Sequence, residues 1–113
     1  MHEMALAESI VGILEDQARV QNYARVRTVW LEVGPFANVE IEALRFSFDV
    51  VTRGTLAEGA RLECDSPAAR AWCMPCGESV AIAQRFDACP LCGGHQLQVT
   101  SGDEFRVKEL EVD

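Results

Sequence analysis

No stretch of this chain is apolar for long enough to span a membrane, and its opening Met-His-Glu lacks the basic run that begins a secretory signal. The cytoplasm is therefore the expected location. Positive charge is scarce as well. Ten Lys and Arg stand against eighteen Asp and Glu, for a formal charge of -8. Such a balance speaks against a binder of phosphate backbones, which needs local cationic surface, and leaves room for no more than a small basic face. A GxxxxGK phosphate loop and a GxGxxG turn are both missing. With only two histidines, no local motif assembles a Ser-His-Asp set. Carboxylate pairs are too plentiful in an acidic chain to mark an acid–base site. Nothing here supports an enzyme.

What is present reads as a globular protein. About half of the 113 residues are apolar (49%) and a quarter are charged (25%), enough for one modest core. Ala7, Ile10, Val11, Leu14 and Ala18 recur at helical spacing between Met4 and about Asn22, with Glu8, Glu15, Asp16 and Arg19 elsewhere. "RVRTVWLEVG" alternates Val29, Leu31 and Val33 with Thr28, Trp30 and Glu32, a strand pattern closed by Gly34-Pro35. A second helix follows, with Ala37, Ile41, Leu44, Phe48 and Val51 on one face, Asn38 as its expected cap and Gly54 at its end. "GARLEC" and the alternating start of "DEFRVKELEVD" suggest two further strands. Two helices and about three strands predict a small two-layer α/β domain built from residues 1–68 and 99–113.

Residues 69–98 interrupt that domain and contain few large apolar side chains, so this insertion needs a staple. It reads "CMPCGESVAIAQRFDACPLCGG". Cys73 and Cys76 form one Cys-x-x-Cys pair, Cys89 and Cys92 another, with twelve residues between them. Gly77 and Gly93 follow the pairs and allow tight turns. Two facing pairs make a zinc-ribbon-like tetrahedral four-thiolate site suited to Zn(II), with no open position, hence structural. Iron in a rubredoxin-like centre is the rival occupant, which colour and elemental analysis distinguish. An odd cysteine count without an export signal argues against disulfides. Within the insertion Arg70 and Arg85 balance Glu78 and Asp87, so the module is a poor phosphate ligand.

The remaining candidates are weaker. Cys64 on the apolar side of its strand reads as a small core residue, and His95 as an exposed loop residue beside a completed ligand set. Trp30, opposite the apolar strand face, marks either a partner surface or packing under the insertion. His2 and Glu3 admit two readings. One is a frayed, solvated terminus. The other is a chelate of terminal amine, main-chain nitrogens and the His2 imidazole, a nitrogen-rich set suiting Ni(II) or Cu(II) better than zinc, with Glu3 as an added ligand or modulator. The chelate requires Met1 to keep a free amine.

The opening "MHEMALA", the middle "EALRFSFDVVTRGTLAEGARLEC", the pairs "CMPC" and "CPLCGG" and the closing "SGDEFRVKELEVD" together resemble the HypA/HybF nickel-incorporation accessory proteins of NiFe hydrogenase maturation. The resemblance runs over nearly the whole chain. It implies an α/β nickel domain carrying an inserted zinc domain, His2 with Glu3 as the nickel site, and Cys73, Cys76, Cys89 and Cys92 as zinc ligands. It further implies a cytoplasmic nickel metallochaperone that delivers Ni(II) to the hydrogenase large-subunit precursor together with a HypB-type GTPase. Some members also serve urease maturation, and members occur as monomers or homodimers. Ala5 replaces the usual Ser after "MHEM", and Gly34-Pro35 the usual Gly-Glu after the first strand. The competing reading is a structural zinc-ribbon adaptor, or a nucleic-acid-associated protein, without metal transfer.

Overall fold

The computed structural model describes residues 2–113. In chain order its elements are α1 (Glu3–Gln21), β1 (Val26–Val33), α2 (Ile41–Val51), β2 (Arg61–Asp65), β3 (Ala69–Cys73), β4 (Glu78–Ile82), β5 (Leu97–Ser101) and β6 (Phe105–Val112). The strands form two three-stranded sheets, β2-β1-β6 and β4-β3-β5. The result is a small α/β fold with a cysteine-rich module. Two compact units emerge, one of residues 1–31, Val39–Cys64 and Val107–Asp113, the other of Glu32–Asn38 and Asp65–Arg106.

The first unit follows from the hydrophobic patterning. Ala7, Ile10, Val11 and Leu14 of α1 are buried, as are Leu44 and Phe48 of α2 and Val26, Val29 and Leu31 of β1. Asn22 stops α1 in the left-handed conformation (φ 58°), and its N–H donates to the Ala18 carbonyl. Two expectations need correction. Asn38 does not cap α2. It sits in the left-handed region (φ 60°), which asparagine tolerates, two residues ahead of the extended cap residue Glu40. Ala37 therefore lies outside the helix, whose buried side is Leu44, Ser47 and Phe48. Cys64 is half-buried on β2 rather than a core residue; Leu62 carries the burial there.

In the second unit β3 pairs antiparallel with β4 (Ala71 opposite Val80) and with β5 (Cys73 opposite Leu97), with a register irregularity at Arg70/Ala71. Alternation on β3 turns Ala69, Ala71 and Cys73 inward and Arg70 and Trp72 outward. The core is small: these three, Val80, Ile82 and Cys89, with Phe36, Cys76 and Leu97 packed against them. Gly34 and Gly102 permit a close backbone crossing. A Cβ on Gly34 would collide with the Gly102 carbonyl, and one on Gly102 would meet the Phe36 ring at 2.6 Å. The Phe36 N–H donates to the Gly102 carbonyl (2.6 Å).

Candidate metal centre

Both cysteine pairs are built alike. Cys73 ends β3, the chain turns, and the Gly77 N–H donates back to the Cys73 carbonyl at 2.9 Å. In the second knuckle the Gly93 N–H donates to the Cys89 carbonyl at 2.8 Å. Each closing glycine has positive φ, 62° at Gly77 and 75° at Gly93, where a side chain would strain the turn. The Leu91 N–H also donates to the Cys89 sulfur (3.4 Å), the kind of contact that steadies a thiolate.

These turns bring the sulfurs of Cys73, Cys76, Cys89 and Cys92 within 4.8 Å of one another. Cys73 and Cys92 are 3.7 Å apart and Cys76 and Cys89 are 4.0 Å apart, across the two knuckles. A tetrahedral ion with metal–sulfur bonds of about 2.3 Å would separate its sulfurs by about 3.8 Å. The quartet fits such an ion. It is also chemically uncomfortable without one. Hydrogen bonds with the Cys73 and Cys92 side chains push the Cys76 thiol up to about 12, while the Cys92 N–H draws Cys89 down to about 7. The Cys76 N–H favours the Cys73 thiolate, yet burial and the neighbouring sulfurs outweigh it and raise that thiol. Protons thus stay on part of the cluster until a cation takes their place.

The N-terminal candidates belong to the first unit. His2 is exposed at the cap position of α1, with no side-chain capping bond, and its carbonyl accepts the Leu6 N–H at 3.1 Å. Its imidazole is therefore not committed to the helix. Glu3, the first residue of α1, accepts the Glu40 N–H at 3.2 Å through Oε2. That bond is the main cause holding its carboxyl below the usual range. One contact thus joins the first turn of α1 to the start of α2. The Met1 amine lies outside the described residues. His95 is exposed in its loop, as its place after a complete thiol set suggests.

The family model described as "Hydrogenase/urease nickel incorporation, metallochaperone, hypA" matches residues 1–112. The chain belongs to the HypA family. It is accordingly a metallochaperone and not a catalyst. A HypA hydrogenase maturation factor of Azotobacter vinelandii is 63% identical over the full length of both chains, and one of Azotobacter chroococcum is 64% identical, also over full length. Solution structures of two HypA proteins share the fold. One, a nickel metallochaperone from Helicobacter pylori, matches with a TM-score of 0.71 at 19% identity, covering 99% of this chain and 97% of that one. The other reaches a TM-score of 0.72 at 20% identity, covering 99% and 96%.

Sequence reasoning missed two features of this HypA-family chain. The Glu3–Glu40 bond joins residues distant in sequence and leaves no local signal. Phe86 has φ 70° and is 94% exposed, and no turn motif around it foretells that. No helix among the described residues is long and apolar enough to cross a membrane.

Proposed function

We propose that this chain carries Ni(II) at its N-terminus and delivers it to the NiFe hydrogenase large-subunit precursor in concert with a HypB-type GTPase. His2 supplies the imidazole, the main-chain nitrogens of the first residues complete a nitrogen-rich set, and Glu3 binds or orients it. Cys73, Cys76, Cys89 and Cys92 hold a structural Zn(II), and the divisions drawn from the sequence, residues 1–68 with 99–113 and residues 69–98, separate cargo from staple.

The observation that carries this reading is the closed thiol quartet. Four sulfurs within 4.8 Å supply a full tetrahedral shell, so that cluster offers cargo no exchangeable position. A carrier needs the opposite: few ligands, reachable by an acceptor, that release metal by ligand exchange. The exposed, uncommitted His2 at the helix start suits that role.

The test is a His2→Ala variant titrated with Ni(II) beside the parent protein, with zinc content measured in both. Nickel binding lost and zinc retained is the expected result. Unchanged nickel stoichiometry and affinity would remove the N-terminal site.

A further inference from the structure

Apart from its sulfurs, the second unit contains a cavity of about 140 Å³ that metal binding leaves unused. Buried Ile82 and half-buried Leu97 line its inner side, while Val99, Phe86, Arg85 and His95 are exposed around it. Asp87, the remaining wall residue, is already engaged, because its Oδ2 accepts the N–H groups of Ala83 (3.0 Å) and Gln84 (2.9 Å).

Arg85 is unlike the other arginines. Six of them, Arg19, Arg27, Arg45, Arg53, Arg61 and Arg106, pair with carboxylates. Arg25 donates to the Glu58 carbonyl and Arg70 to Ser79. Among the described residues Arg85 donates to no protein acceptor. Its guanidinium lies over the Phe36 ring, 4.5 Å from the centroid, which holds the charge in place without using its N–H donors. In a chain of net charge -8, an arginine with no carboxylate partner beside a cavity floored by Ile82 and Leu97 is a specific arrangement.

Phe86 adds an exposed aromatic ring to the cavity rim. An aromatic residue at φ 70° is strained, and here the strain holds a ring that is 94% exposed at the cavity rim. The turn closed by the Asp87 N–H on the Gln84 carbonyl (3.3 Å) sets that conformation and leaves the ring at the rim. The cavity is also smaller than the roughly 300–1,000 Å³ of sites for drug-sized ligands, which excludes a nucleotide and admits a single side chain.

We propose that this cavity seats one aliphatic side chain of a partner peptide whose adjacent carboxylate is bound by the Arg85 guanidinium, with Phe86 closing over the aliphatic group. The carboxylate is the peptide's C-terminus, carried on the same residue as the one aliphatic side chain that a cavity of this size admits. It presents a two-oxygen acceptor to the guanidinium fork. The site is independent of the nickel reading and stands or falls without it.

Full-length zinc-loaded protein is titrated with three blocked short peptides, followed by backbone amide shifts of residues 82–87 and 95–99. One peptide ends in leucine with a free carboxyl, one is its C-terminal amide, and one is amidated but carries Asp beside leucine. Saturable shifts with the first peptide and none with the second or third support the site. Binding of the third peptide as tightly as the first would overturn the terminal carboxylate. Arg85→Gln weakens that binding about tenfold or more, since a charge-assisted contact is lost. Val99→Glu, at a position already 38% exposed, places a repelling carboxylate at the cavity and abolishes binding with zinc content unchanged. No saturable shift at millimolar peptide, equal binding of the amide, or unchanged binding by both variants would overturn the proposal.

Discussion

The two candidate metal sites differ in how much of the fold depends on them. The thiol quartet is built into the core of its unit: Cys73 and Cys89 are core members. Cys73 is also the unit's one residue among the largest fully buried side chains of the described protein, the others being residues such as Ile10, Leu14 and Leu31 of the first unit. The N-terminal candidates are set on a helix end that the first unit's own apolar core already supports. A metal that replaces a core has to stay, whereas a metal at an exposed cap can leave without loss of structure.

The sharpest way to break that contrast is to remove one thiol. Cys73→Ser is expected to lose zinc outright and unfold the second unit, because structural zinc contributes roughly 10–16 kcal/mol in comparable small domains, more than so small a core can replace. Elemental analysis and amide-shift dispersion of residues 65–106 report it. If zinc and dispersion both survive, the quartet is not the staple. Gly34→Ala attacks the same unit without touching sulfur. Its Cβ meets the Gly102 carbonyl, and a loss of about 1–3 kcal/mol in denaturant unfolding is expected from that clash.

Acid acts on the quartet through its protons. With Cys76 held near 12 in the metal-free cluster, zinc must displace protons to bind. Zinc affinity therefore falls as pH is lowered, by about tenfold per pH unit for each proton displaced. Chelator competition at two pH values measures the slope, and a flat profile would mean that the sulfurs are already ionised.

How far the sequence carried this picture depends on where the information lies. α1 and β1 were legible because their apolar residues repeat at the helical and strand periods and face one core. The quartet was legible because paired spacing and following glycines are local features. β3, β4 and β5 were not. Each of these strands is only five residues long, and "ARAWC" contains no β-branched residue at all. The start of α2 was misplaced because Asn38 has a capping residue's chemistry while the backbone uses it for a left-handed turn. Contacts such as Glu3 with Glu40, or Arg85 over Phe36, join distant positions and exist only once the fold is made.

The finest test concerns Glu3, whose carboxylate has two possible uses that its hydrogen bond makes distinguishable. Oε2 accepts the Glu40 N–H, so Glu3 already orients the first turn of α1 toward the start of α2. If orientation is its role in nickel binding, Glu3→Gln keeps an amide oxygen that accepts the same N–H. Nickel affinity then changes little, while Glu3→Ala loses about tenfold, as removal of an orienting group around a metal does. If the carboxylate is itself a ligand, charge matters, and Gln and Ala variants weaken nickel alike. Isothermal titration of both variants against the parent, with zinc content held constant, decides between them. The effect is smaller than that of removing His2 in either case, because one oxygen acceptor contributes less to a nitrogen-rich set than its only imidazole.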